Sequence, residues 1–267
     1  MPQSPESLVL IPLQSNWPAP KGVRAYLSTR QGGCSSAPWD TLNLATHVGD
    51  EAQAVQRNRE GLLNALTKPG DARSERQLKA QWLDQVHGTT VVEARGDGEV
   101  RRADAAWTQH SGVVCAVMTA DCLPILICDR DASVVAAVHA GWRGLAAGVI
   151  DSTVTALAVE PQRLLAYLGP AICTRCFEVG PEVRESFLEG AKDDVQRAGI
   201  AECFQASPAR AGHYLADLVE LARGQLLALG VADIYGGEMC TVEAPETFYS
   251  YRRDGDTGRQ AALIYLE

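Results

Sequence analysis

The sequence predicts an α+β fold in which a mixed sheet is layered with helices, and three observations point there. Six short apolar runs have strand composition, and several are apolar throughout, as strands covered on both faces are. Four longer segments carry helical periodicity. The strand-like runs crowd between residues 113 and 139 instead of alternating evenly with helices, which disfavours a simple doubly wound sheet. With 267 residues, no internal repeat and no low-complexity tract, residues 1–267 read as one domain.

In chain order, residues 22–29 form the first predicted strand. Asp50 is placed to cap a helix running to about Leu66, with Val55, Leu62 and Leu66 on its inner face. Residues 69–79 are polar and read as a surface loop. Strands follow at 113–119, 124–128 and 134–139, rich in Val, Ile, Leu and Ala and bounded by Gly, Pro or Asp. Residues 145–159 repeat Leu145, Val149, Ala156 and Val159 at helical intervals, and 164–168 is a further strand. Pro181 can open a helix towards Ala191. Residues 214–229 place Leu215, Leu218, Ala222, Leu226 and Leu229 on one face, with Gly230 as the stop. Residues 260–266 form the last strand.

Composition narrows the function classes. The chain is 46% apolar and 21% charged, as ordinary globular proteins are. A net charge of −9 argues against a general nucleic-acid binder, since phosphate backbones are held by Lys and Arg. A small anionic substrate remains compatible with that charge, because a few Arg in a pocket override a negative exterior. Eight Cys scattered along a chain this long do not resemble a disulfide scaffold, so a cytoplasmic setting is expected. The apolar run 8–13 is too short for a signal-peptide core, and no uninterrupted stretch has the length of a membrane span.

Chemistry-bearing residues cluster at predicted strand ends. Val86-His87-Gly88, Asp121-Cys122-Leu123-Pro124 and His139-Ala140-Gly141-Trp142-Arg143 supply two imidazoles and a thiol beside backbone-turning Gly or Pro. Such a set can hold zinc and leave a fourth position open for water or substrate. Taken singly, each has an ordinary structural reading, and only the combination points to a site. Arg30, followed by Gly32-Gly33, and Arg252, in Ser250-Tyr251-Arg252-Arg253, could each clamp a phosphate or carboxylate. Cys173-Thr174-Arg175-Cys176 has redox or zinc spacing, but the sequence offers no second pair of that kind to complete a structural zinc site.

The stretches Ser28-Thr29-Arg30, Thr41-Leu42-Asn43-Leu44, Gln85-Val86-His87-Gly88, Thr119-Ala120-Asp121-Cys122-Leu123-Pro124, His139-Ala140-Gly141-Trp142-Arg143-Gly144 and Ser250-Tyr251-Arg252-Arg253 run through nearly the whole chain. In this order they resemble the YfiH/laccase-domain family, also known as purine nucleoside phosphorylases or peptidoglycan editing factors. The resemblance implies a layered mixed α-β sandwich shared with toxin deamidases, and a zinc held by His87, Cys122 and His139. It also implies phosphorolysis of purine nucleosides, with adenosine deamination and methylthioadenosine cleavage as related activities. Arg30, Cys122 and His139 would then be catalytic, and Arg30, Asn43 and Arg252 would meet the nucleoside and phosphate. Cys173-Thr174 departs from the family pattern, which has a second Gly-Pro there.

Three rival readings stay open on sequence. A copper oxidase could use His87, Cys122 and His139 with Met118 nearby, although five His are too few for a multicopper cluster as well. A metal-free hydrolase could use Cys122 as nucleophile and His139 as base. A binding module could merely hold a ligand with Trp142 and the Arg residues.

Overall fold

The computed structural model describes residues 8–13, 17–67 and 77–267. The first half contains β1 (Leu10–Pro12), β2 (Val23–Ser28), α1 (Ala52–Leu66), β3 (Lys79–Gln81), β4 (Leu83–Asp84), β5 (Val91–Glu93), β6 (Arg101–Arg102), β7 (Ala105–Thr108), β8 (Val113–Thr119) and β9 (Leu123–Asp129). Then come β10 (Val135–Ala140), α2 (Trp142–Ala146), α3 (Val149–Leu157), β11 (Leu164–Leu168), β12 (Glu178–Val179), α4 (Pro181–Glu189) and α5 (Asp194–Glu202). The chain closes with β13 (Phe204–Ala206), β14 (Tyr214–Ala216), α6 (Leu218–Ala228), β15 (Asp233–Gly236), α7 (Tyr251–Asp254) and β16 (Gln260–Leu266).

Two mixed sheets carry the architecture. One has the order β1-β2-β16-β8-β3 and the other β15-β11-β9-β10-β7-β5. Side chains alternate across a strand, so each sheet offers two faces for burial. Val113, Cys115 and Val117 of β8, with Ala262 and Ile264 of β16, pack against Leu126, Val135, Ala137 and Tyr167 of the other sheet. The intervening residues Val114, Ala116, Met118, Ala261 and Leu263 point outward, where Leu62 and Leu66 of α1 cover them. On the far side, Ile125, Ile127, Ala136, Val138 and Ala166 meet Val149, Val154, Leu221 and Leu226 of α3 and α6. The result is a layered α-β-β-α sandwich. It explains why β8, β9, β10, β11 and β16 read as continuous apolar runs: both faces of each are covered.

The predicted strands 113–119, 164–168 and 260–266 have the observed bounds, and the other three differ by one residue at each end. Three helical expectations need correction. The helix predicted over 145–159 is broken into α2 and α3 at Gly148, whose φ of +94° ends one helix and starts the next. The helix predicted from 214 starts only at Leu218. Residues 214–216 pair instead with β12 and β13, and Asp217 caps α6 by accepting from the Glu220 N–H. Asp50 does not cap α1: Glu51 holds that position, and Asp50 accepts from Ser35 and Asn43. Pro181 opens α4 as expected, ending at Glu189. Of the predicted loop 69–79, residues 69–76 lie outside the described residues and Lys79 begins β3. No helix among the described residues is long and apolar enough to cross a membrane.

Candidate metal centre and active site

The chain passes from one main sheet to the other in the tight turn between β8 and β9, and Cys122 sits in that turn. His139 lies in β10, paired with Pro124 of β9, and His87 follows β4. Their ligand atoms all lie within 4.8 Å of one another. His87 Nε2 is 3.7 Å from Cys122 Sγ, and the two imidazoles meet edge to face with centroids 4.8 Å apart. Ligands bound at ~2.0–2.3 Å around a tetrahedral ion stand ~3–4 Å from each other, so the three donors need only small movements to share one metal.

The local backbone is strained to achieve this. His87 and Asp121 both adopt left-handed φ, +60° and +101°, conformations that cost residues with side chains about 1–3 kcal/mol each. The Asp104 carboxylate offsets the first by accepting the N–H groups of Val86, His87 and Gly88 at 3.3, 2.9 and 2.7 Å. The Asp121 carboxylate is held by the Thr241 hydroxyl at 2.5 Å and the Arg252 N–H at 2.7 Å. Gly141 leaves the space the cluster needs, since a Cβ there would lie 2.7 Å from His87 Cδ2 and 3.1 Å from Cys122 Sγ.

Asp104 also orients the buried imidazole. Its Oδ1 is 2.8 Å from His139 Nδ1, and its carbonyl accepts the His139 N–H at 2.7 Å, which leaves Nε2 directed at the cluster. Burial alone would push the Cys122 thiol up, but the adjacent imidazoles of His139 and His87 outweigh it and hold the thiol down to about 6. Burial would likewise lower His139, and the Cys122 sulfur together with Asp104 lifts it to about 9. A thiolate and two imidazoles, one backed by a carboxylate, could hold a metal ion in place of the proton they otherwise share.

The remaining predicted residues do not converge on this cluster. Arg30 donates from Nε to the Asp40 carbonyl, from Nη1 to the Pro245 carbonyl and from Nη2 to the Asp40 carboxylate. These three bonds tie its loops together and leave two of its five guanidinium N–H groups unused among them. Asn43 is fully buried: it donates to Ala45 and Asp50 and accepts from the Ala45 and Arg259 N–H groups, so no group is left for a substrate. Arg252 reaches the cluster only through its backbone N–H on Asp121, while its guanidinium donates to the carbonyls of Cys176 and Glu178. Met118, the added ligand of the copper reading, turns its sulfur to Arg59 at 3.7 Å.

Sequence reasoning passed over Asp104, Arg59 and Arg259. Arg259 is half-buried, and its guanidinium donates only to the Thr257 and Gly258 carbonyls among the described residues. Burial lowers its pKa even though the fields of Cys122 and Asp121 act to raise it, so it lies within electrostatic reach of the cluster. Arg59 donates to the Leu44 carbonyl and Met118 sulfur, stacks over Trp82 with its carbon 4.2 Å from the ring centroid, and is lowered by burial to about 10. The one sequence signal for Asp104 was an acid inside Ala103-Asp104-Ala105, all of it buried.

The model of the family described as multi-copper polyphenol oxidoreductase laccase matches residues 24–267. Among curated proteins, a purine nucleoside phosphorylase of Pseudomonas aeruginosa is 49% identical over 96% of this chain and 98% of its own. The purine nucleoside phosphorylase YfiH of Escherichia coli is 48% identical over 94% and 96%. Among solved structures, a Neisseria meningitidis protein superposes with a TM-score of 0.86 at 44% identity, covering 98% of this chain and all of the other (100%).

Proposed function

The chain belongs to the family described as multi-copper polyphenol oxidoreductase laccase, which it shares with the YfiH proteins, and on that premise we propose that it is a purine nucleoside phosphorylase using zinc held by His87, Cys122 and His139. The observation that carries the metal is the second imidazole. A Cys-His nucleophile pair needs only one base, and Asp104 already orients His139 for that role. His87 is brought to the same sulfur at the cost of a left-handed backbone, which a metal explains and a hydrolase does not. Zinc fits the mixed thiolate and imidazole set, and the copper reading loses Met118 to Arg59.

Zinc, when bound, supplies Lewis-acid polarisation of a substrate or water oxygen. The protein's own residues do the positioning. Asp104 fixes the His139 tautomer and carries the His87 turn. In phosphorolysis a phosphate oxygen attacks C1′ of the nucleoside and the base leaves with the glycosidic electron pair. Arg259, half-buried and within electrostatic reach of Cys122, is the positive charge suited to hold that phosphate, and Asn43 fixes its segment by accepting its backbone N–H. Adenosine deamination and methylthioadenosine cleavage are further activities of the same site, which takes purine nucleosides and phosphate as small-molecule partners.

Adenosine and phosphate supplied to the zinc-loaded protein should yield adenine and ribose 1-phosphate, and without phosphate only inosine. Arg259→Lys should depress the phosphate-dependent product at least tenfold more than inosine, because ammonium cannot replace two parallel guanidinium bonds. Chromatography showing neither adenine nor inosine after long incubation rejects the reading. Oxidation of a phenol by the copper-loaded protein, without nucleoside turnover, would instead favour the oxidase.

A further inference from the structure

Away from the His87 cluster, the structure completes the Cys-x-x-Cys pair that the sequence left without a partner. Cys173 precedes and Cys176 ends a single turn of 3₁₀ helix, Thr174–Cys176, closed by the Cys176 N–H on the Cys173 carbonyl at 2.9 Å. Facing it is a second turn, Cys240-Thr241-Val242-Glu243. The two turns are joined by a parallel bridge between Ala171 and Cys240, with the Thr241 N–H on the Ala171 carbonyl at 3.0 Å. The ligand atoms of Cys173, Cys176, Cys240 and Glu243 all lie within 4.8 Å of one another.

The geometry points to a second metal site: Cys173, Cys176, Cys240 and Glu243 together hold one zinc ion, structurally and independently of the His87 cluster. The two turns have the same form, ligands at the first and fourth positions, Cys-x-x-Cys against Cys-x-x-Glu. Four donors, three of them thiols, make a closed tetrahedral set with no position left for substrate. The Cys240 sulfur accepts the Cys173 N–H at 3.4 Å, and the N–H groups of Val242 and Glu243 from its own turn also face it. Donation of this kind stabilises a thiolate ligand and fixes its direction. Arg175 holds the Glu243 carboxylate with bonds of 2.8 and 2.7 Å, and the oxygens keep lone pairs for a metal, so the arginine backs the ligand and does not replace it. An iron–sulfur cluster is the poorer fit, because it takes four cysteines where this set has three and a carboxylate.

The site has a consequence for the active centre. The Cys240 turn contains Thr241, which holds Asp121, and Arg252 ties the carbonyl of Cys176 to the same aspartate through its own backbone N–H. An ion here would fasten the wall against which the Cys122 turn is set.

The test begins with a Cys122→Ala/His139→Ala variant, which removes the first metal centre and so separates this proposal from the phosphorylase reading. Purified under reducing conditions and equilibrated with zinc, it should retain about one zinc per chain by elemental analysis. Adding Cys173→Ser and Cys176→Ser should bring that to none. Cobalt offered to the first variant should give intense sulfur-to-metal charge transfer with tetrahedral d–d bands. Because the serine variant could fail to fold, a second measurement uses the first variant alone: zinc should slow alkylation of Cys173, Cys176 and Cys240 at least tenfold, while Cys34 reacts at an unchanged rate. Zinc retained after serine substitution, or absence of both the cobalt bands and the protection, would overturn the site.

Discussion

Gly141 is the residue on which the candidate metal centre is most sharply poised. It follows β10, and the space its missing side chain leaves is filled by His87 and Cys122. Gly141→Ala places a methyl 2.7 Å from the imidazole of His87, closer than side-chain carbons approach, so either the imidazole or the β10 end must move. The expected outcome is at least a tenfold loss of metal affinity at this centre with unchanged far-ultraviolet circular dichroism, read by zinc titration in a Cys173→Ser/Cys176→Ser background. Unaltered affinity would show that the three ligands are not held where the structure places them. His87, Cys122 and His139 were legible in the sequence because each lies close to a turning Gly or Pro at a predicted strand end. Asp104 was not, since its partners are distant in sequence: His139 meets it through the β7–β10 pairing and residues 86–88 through the β4–β6 pairing. Arg259 escaped for a similar reason: its environment is made by Asn43, more than two hundred positions away. Arg30 was read as a clamp from the Gly pair beside it, but its carbonyl and carboxylate partners come from the folded loops.

At the scale of the element, the β9–β10 hairpin is held by one buried carboxylate. Asp129 ends β9 and accepts the Ser133 N–H and hydroxyl at 2.7 Å each and the Val134 N–H at 3.1 Å. Burial acts to raise its pKa, and these bonds outweigh it, so the folded carboxyl lies below its usual range. A depressed folded value means the contribution to stability is complete above the unfolded pKa of ~3.9 and is lost as pH falls through the folded value. Asp129→Ala should cost about 1–3 kcal/mol near pH 7, by leaving buried donors unpaired. In urea titrations the gap between wild type and variant should narrow below about pH 4; a gap that is constant to pH 3 would assign the loss to packing instead. The strands of this hairpin were legible because both faces are buried. Helix ends were read less well where local pattern and tertiary pairing disagree. Tyr214 and Leu215 continue the apolar face of α6 on paper, yet the edge offered by β12 and β13 takes them as a strand, and Asp217 starts the helix.

For the whole molecule, the decisive contact is sheet against sheet. Val117 and Ile264 from one sheet meet Leu126, Val135 and Tyr167 from the other, and the chain crosses between the sheets at the Cys122 turn. The candidate metal centre therefore sits beside this seam, with Cys122 in the turn that crosses it. Neither sheet has a complete core alone, since each strand of the seam is covered on one face by a helix layer and on the other by its partner sheet. That argues that the two sheets melt as one cooperative unit. Leu126, 1% exposed, points into the seam. Leu126→Ala should cost about 2–5 kcal/mol through lost burial and the cavity left behind. In a chain of this size that lowers the thermal midpoint by roughly 5–15 °C. Secondary structure followed in the far ultraviolet and aromatic packing in the near ultraviolet should melt together, in the variant as in the parent. Two separated transitions, with only one shifted by the substitution, would mean that the sheets are independent units and that the seam does not govern the stability of the metal centre.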